Sequence, residues 1–305
     1  MTKNNSDSRA GALLTLTGGT CWGLSGSVGQ FLFTHEGMDS RWLVPVRLGI
    51  AGILLLSWCL FKDRRSALAP VSNKTDFRDL LIYGIAGVSM CQFFYFLTIQ
   101  NSNAAIATIL QSLSPIMILA VTCLFDRKNP TIPELASIVL ALVGVFLIST
   151  HGDPSHLAIP PAALISGILC ACCVTIYNVQ PRRLLSKYPV PCLQGWAFLL
   201  GALFFTILFQ PWRYQTAITP LGALGIAFVV LVGNVLAFTC YMKGVYLIGP
   251  KKAILYGFSE PITAAAVTAI GFRQIFTTAD FLGFLLIFLS LALISVPLKD
   301  RFRGK

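Results

Sequence analysis

Apolar residues run along this chain in long unbroken stretches, with polar residues gathered between them. The stretches fall at 11–33, 42–61, 79–99, 103–125, 131–150, 161–180, 191–209, 220–242, 251–271 and 279–297. A helix needs about 20 mostly apolar residues to cross a bilayer, so the pattern predicts ten membrane-spanning helices. The ten-residue alternation that outer-membrane strands require does not recur. The predicted fold class is therefore an all-α integral membrane protein.

Composition agrees and narrows the function. Apolar residues make up 55% of the 305 and charged residues 11%, against roughly a quarter charged in soluble domains. Too little polar sequence remains for a separate catalytic domain, so any function must sit among the helices. A net charge of +11 raises the question of nucleic acid, but the basic residues lie in short clusters between apolar runs and not on one face. Membrane topology accounts for them. Counted over alternate loops, one side holds 19 Lys and Arg, and the other only Arg41, Arg213 and Arg273. The positive-inside bias then puts both termini of a multi-pass protein in the cytoplasm. The start, MTKNNSDSR, lacks the features of a cleaved signal peptide. All nine cysteines fall within apolar runs and are read as reduced small hydrophobes.

Sliding the chain on itself by 146 residues pairs 95–149 with 241–295 without a gap and gives 13 identities over 55 positions. Tyr95 meets Tyr241, Pro115 meets Pro261, and Ala120, Val121 and Thr122 meet Ala266, Val267 and Thr268. The predicted organisation is a tail at 1–10, a first repeat at 11–150, a second at 161–297 and a tail at 298–305. Each repeat holds five helices, and an odd number turns the second repeat over in the membrane. Two inverted five-helix repeats around a central cavity is the plan of secondary transporters, with the substrate near the midplane.

The stretch YFLTIQNSNAAIATILQSLSPIMILAVTCLF (95–125), its partner YMKGVYLIGPKKAILYGFSEPITAAAVTAIGF (241–272), CWG at 21–23 and Arg47 in VPVRLGIAGILLL together resemble the EamA family of the drug/metabolite transporter superfamily, including its bacterial inner-membrane members. The resemblance implies a ten-helix carrier with a cavity between two five-helix halves, in a family that includes exporters of amino acids and other metabolites. Many members carry a glutamate just after the fourth and ninth helices. Here those regions read FDRK (125–128) and GFRQ (271–274), so no role is carried over to such a residue.

Glu260 is the one carboxylate well inside a predicted span, about nine residues or roughly 14 Å from its end. A charge at that depth is costly and characteristically faces a cavity, pairs or relays protons. Glu260 is accordingly the candidate for proton coupling; the alternative is a neutral acid hydrogen-bonded between helices. The shift of 146 pairs it with Ser114, so Ser114-Pro115 and Glu260-Pro261 are expected to meet at mid-bilayer. Each proline leaves a helical carbonyl without its donor, at Gln111 and Gly257, and predicts a helix break. Polar stripes at Asn103, Gln111 and Ser114 and at Lys252, Tyr256 and Glu260 share helix faces and point either to a cavity or to helix–helix bonds. Arg47 either snorkels to the interface or turns inward to hold an anionic group. Trp22, Gln92, Tyr95, Tyr177, Asn178, Asn234 and Tyr241 complete a candidate lining for an amphipathic substrate. No metal or cofactor is expected: in CxCC at 170–173 only two thiols share a face and no histidine is near. Gly19 and Gly23 form a GxxxG that suits close helix packing.

The expected function is a secondary transporter exporting a small amphipathic metabolite, an amino acid or related compound, by alternating access, with protons as candidate coupling ion. Its partners are the lipid bilayer and the substrate, without nucleic acid, as a monomer or weak homodimer. A drug or cation efflux carrier is the alternative, although a small-multidrug-type exporter calls for a midplane carboxylate in the first helix, where this chain has none. The remaining alternatives are a non-transporting membrane scaffold and an intramembrane enzyme, which would need a nucleophile and base at one depth; no nucleotide-binding GxxxxGK[ST] is present.

Overall fold

The computed structural model describes residues 5–126, 129–153, 157–214 and 217–295, and every regular element among them is helical. In chain order these are α1 (Asn5–Thr34), α2 (Ser40–Lys62), α3 (Arg64–Ser72), α4 (Lys74–Asn101), α5 (Ala104–Gln111), α6 (Ser114–Asp126), α7 (Ile132–Thr150), α8 (Pro161–Val179), α9 (Arg182–Lys187), α10 (Val190–Phe209), α11 (Pro220–Ile248), α12 (Pro250–Gly257), α13 (Ser259–Gly271) and α14 (Thr278–Ser295). Among the described residues seven segments are long and apolar enough to cross a membrane: α2, α4, Ala104–Val121, α7, α8, α10 and α11. The first, ninth and tenth expected spans fall short of that measure. α1 is diluted by Thr, Ser and Gly, the ninth is divided into α12 and α13, and α14 has a shorter apolar run, Thr278–Leu293. Most of both expected tails and the basic cluster at 127–128 lie outside the described residues; residues 5–10 continue α1.

Three local features depart from simple spans. The fourth and ninth runs are interrupted, and the interruption follows from the prolines. α5 ends at Gln111 and α12 at Gly257, the two residues whose carbonyls Pro115 and Pro261 leave without a donor. Each proline then sits in the first turn of the next half-helix, where a missing N–H costs nothing. Next, α4 and α11 outrun their windows, and each contains a wide-turned π-helical stretch, Ile82–Ser89 and Val229–Leu236. Finally, α3 is a short extra helix in a basic loop, capped by Asp63.

The 146-residue offset reappears in these details. The breaks fall at 112–113 and at 258, and the π-helical stretches start 147 residues apart. Thr131 and Glu134 form a capping box at the start of α7, and Thr277 and Asp280 form its counterpart at α14. Packing follows the same exchange. α1 lies against α11, α12 and α13, while α8 lies against α4, α5 and α6; α2 pairs with α10 and α7 with α14.

The largest apolar cluster sits where α2, α4 and α10 meet, around Leu43, Leu48, Phe96, Phe198 and Phe205. A second joins α5, α7 and α14 around Ile109, Leu110, Ile148 and Ile287. Outward faces stay apolar: Ile53, Leu142, Leu203 and Leu224 are all exposed, as lipid-facing positions are. Gly19 and Gly23 bring α1 onto the break between α12 and α13. A Cβ at Gly23 would lie 2.8 Å from Cβ of Thr263 and 3.1 Å from the backbone nitrogen of Ala264.

Charged residues tie the ends. Buried Asp76 accepts from Arg183 at 2.7 Å, from Lys187 at 3.3 Å and from the Tyr188 hydroxyl at 2.7 Å. That donation, together with the aspartate's charge, pushes the Tyr188 phenol above its ordinary value. Elsewhere Asp39 caps α2 and holds Arg41, whose guanidinium lies 3.9 Å from the centre of the Tyr214 ring.

Candidate functional site

Arg47 turns inward from α2 and is 2% exposed. Its Nη2 donates to Oε1 of Gln92 on α4 and to Oδ1 of Asn234 on α11, both at 2.7 Å. The face of the guanidinium rests on the Phe96 ring, 3.9 Å from its centre, a cation–π contact that gains strength away from water. Gln92 and Phe96 are four residues apart on one face of α4. Gln92 follows the π-helical stretch of that helix and Asn234 lies within the stretch of α11. Each wide turn rotates the residues after it relative to an α-helical register, and such insertions concentrate at functional sites.

Removing a guanidinium from water costs several kcal/mol unless it is paired and hydrogen-bonded. Here the partners are neutral amides, and among the described residues Arg47 has no carboxylate within 4.0 Å. Its Nε and Nη1, the Tyr95 hydroxyl and the Asn234 Nδ2 are buried without a protein partner.

Glu260 occupies the first turn of α13, where the helix dipole favours a carboxylate, and it is partly buried. Tyr95, Tyr177, Tyr241 and Cys170 all lie within its electrostatic reach. Tyr95 is within reach of Arg47 as well. Tyr241 packs on Trp22 with ring centres 4.9 Å apart and lines the backbone at Gly257. Cys170 donates to Oε1 of Gln111 at 3.4 Å, and Thr175 donates to the carbonyl of Ser114 at 3.5 Å. Direct contacts thus join Arg47 to Gln92 and Asn234, Tyr241 to Trp22 and Gln111 to Cys170, while Tyr95, Tyr177 and Tyr241 lie within the electrostatic reach of Glu260. Asn178 donates to its own helix at Val174, and Tyr256 is exposed, as is Lys252 above it. Lys252 and Tyr256, the first two members of the ninth-span stripe, thus lie on α12 before the break and Glu260 on α13 after it.

Sequence reasoning did not single out Gln30, Phe96 or Cys91. Gln30, 5% exposed, accepts from the backbone nitrogen of Ala104 at 2.9 Å and from Thr268 Oγ1 at 3.4 Å, linking α1, α5 and α13. An amide inside an apolar run was its signal, the one that picked out Gln92. Phe96 carries no such mark. Cys91 and Cys170 have sulfurs 3.7 Å apart. Among the described residues no three His, Cys, Asp or Glu side chains converge as a metal set; Cys170 and Cys173 are buried, whereas Cys172 is exposed and faces Met117. A surface cleft of about 430 Å³ between α1, α11 and α13 is lined by residues that include Leu24, Val28, Phe31, Phe228 and Phe272 and does not reach Arg47 or Glu260.

A bundle of long apolar helices whose buried polar groups come from both halves of the sequence is the build of a membrane transporter. The chain belongs to the EamA-like transporter family, whose profile matches residues 9–150 and 161–296. It is 35% identical over 296 residues, 97% of this chain and 98% of the relative, to YicL of Salmonella typhimurium, named an uncharacterised inner membrane transporter. Transporter YwfM of Bacillus subtilis is 22% identical over 68% of this chain and 70% of its own length. Inner membrane transporter YedA of Escherichia coli is 23% identical over 75% and 73%. A crystal structure at 16% identity superposes with a TM-score of 0.60, covering 93% of this chain and 96% of that one, which speaks to the fold alone.

Proposed function

We propose that this protein is an inner-membrane secondary transporter that exports a small amphipathic metabolite, an amino acid or related compound, by alternating access. Its ten spans form two inverted five-helix repeats, 11–150 and 161–297, with both termini in the cytoplasm. The observation that carries the reading is the gathering of Arg47, Gln92, Tyr95, Asn234, Tyr241 and Glu260, drawn from both halves, next to two proline-broken helices. Discontinuous helices paired in this way surround substrate sites in secondary carriers. The twice-matching family profile and the recurrence of breaks, caps and π-helical stretches about 146 residues apart support the repeat.

Glu260 is the proton-coupling group in this reading. It is a carboxylate without a basic partner within 4.0 Å among the described residues, so a proton and a substrate cation can compete for it. A metabolite uptake and resistance screen in overproducing cells supplies the substrate, and proteoliposomes supply the test. A pH gradient should drive flux in the wild type. Glu260→Gln should abolish that response and keep counterflow of labelled against unlabelled substrate. Gradient-driven flux of wild-type size in Glu260→Gln would remove this carboxylate from the mechanism.

A further inference from the structure

We propose that Arg47, with the Tyr95 hydroxyl and the Asn234 amide, forms a subsite for a carboxylate group of the transported molecule; this assignment rests on the transporter reading above and names the chemistry of its substrate.

The inference comes from counting hydrogen-bonding groups. Among the described residues six buried side-chain nitrogen and oxygen atoms lack a protein partner, and four of them are Arg47 Nε, Arg47 Nη1, Tyr95 Oη and Asn234 Nδ2. Asn234 gives its oxygen to Arg47, which leaves its NH2 beside the guanidinium. Arg47 donates from Nη2 twice and keeps three N–H bonds unused on the other nitrogens. Every nitrogen in this set is a donor, and the hydroxyl can donate. What complements such a set is a group that only accepts, and an ionised carboxylate does so at about four lone-pair sites.

Charge points the same way. Arg47 is the one buried Lys or Arg among the residues whose side chains are described, so the site offers a single positive charge. A monoanion balances it, whereas a phosphate dianion would bring a second charge with no buried cation to meet it. Glu260 is not paired with Arg47, so the protein does not neutralise its own arginine. Phe96 covers the guanidinium face, which directs a ligand to the N–H groups in the ring plane. Gln92 and Asn234 fix the guanidinium before a ligand arrives, which lowers the ordering cost of binding.

The test measures binding and needs no flux. Purified full-length protein in detergent is unfolded thermally, followed by tryptophan fluorescence, with each of a panel of L-amino acids, with the matching L-amino acid amides, and with sodium phosphate. At least one acid should raise Tm by about 2 °C or more at saturation, while its amide and phosphate do not. Asn234→Asp places a carboxylate beside Arg47; it should raise the ligand-free Tm and erase the response to the acid. Tyr95→Phe keeps the ring and removes one donor, and should weaken the acid about tenfold. The subsite is overturned if the amide protects as well as the acid, if phosphate alone or no acid protects, or if Asn234→Asp responds as the wild type does. Protein that transports a carboxylate-free solute without responding to any acid overturns the subsite and leaves the transporter reading standing. A carboxylate response without flux of any screened metabolite does the reverse.

Discussion

Two arginines six residues apart on α2 meet opposite fates. Arg41 stays at the helix start, 42% exposed at its side chain, and is paired with Asp39 at 2.6 Å; Arg47 is buried among neutral amides. Burial works against ionisation of Asp39, but hydrogen bonds from the Arg41 side chain and backbone and the arginine's charge outweigh it and hold the carboxyl below its usual range. A depressed carboxylate stabilises the fold above its unfolded pKa, about 3.9, and loses that contribution as pH falls through the lower folded value. Asn caps a helix as well as Asp does, so Asp39→Asn isolates the charge. The variant should melt slightly below the wild type at pH 7, by the equivalent of about 0.2–1 kcal/mol for a half-exposed pair. The gap should close between about pH 4 and pH 2; a gap that persists at pH 2 assigns the effect to geometry instead. The sequence marked Arg47 as an intramembrane cation but left its direction open. Its partners lie 45 and 187 residues away, and periodicity within one helix carries no information about either.

At the scale of elements, what the sequence disclosed depended on whether a residue type encodes the feature. Proline does: Pro115 and Pro261 announced both breaks, and the helices end at the two carbonyls they orphan. The capping boxes at Thr131 and Thr277 were equally legible in principle, since Ser or Thr followed three residues on by an acid is a recognised signature. The π-helical stretches were not, because no side chain specifies a wide turn, and Val, Ile and Gly fill them as they fill any apolar span. That gap matters for the site, since Gln92 and Asn234 are aimed by those turns. Tyr256, grouped with Glu260 on one face, lies on the other side of the break. If proline holds the second break, Pro261→Ala supplies an N–H for the carbonyl of Gly257 and a better helix former. Hydrogen exchange across 257–262 should slow, with Tm equal or higher. Unchanged exchange would mean that the close approach of α1 at Gly19 and Gly23, and not the proline, keeps α12 and α13 apart.

For the molecule as a whole, exchange of the halves maps each major helix pairing onto another or onto itself, and in the proposed topology of five spans per half that exchange is an inversion. Alternating access needs such a relation, because two arrangements of near-equal energy arise when either half can adopt the other's conformation. The contacts that would differ between the arrangements lie at the ends. Asp76 ties the start of α4 to Arg183, Lys187 and Tyr188, and Glu36 accepts from Thr219 at 2.6 Å across the halves. In the proposed orientation the Asp76 end, in the basic set of loops, faces the cytoplasm, and the Glu36 end, in the set with three basic residues, faces outward. Fusions test this without knowledge of the substrate. Green fluorescent protein joined after Lys305 should fluoresce, since it matures in the cytoplasm, and alkaline phosphatase inserted after Gly152 should be active, since it folds outside. Inactive phosphatase at Gly152 with a fluorescent C-terminus would put an even number of crossings between them, and two five-span halves could then not run in opposite directions.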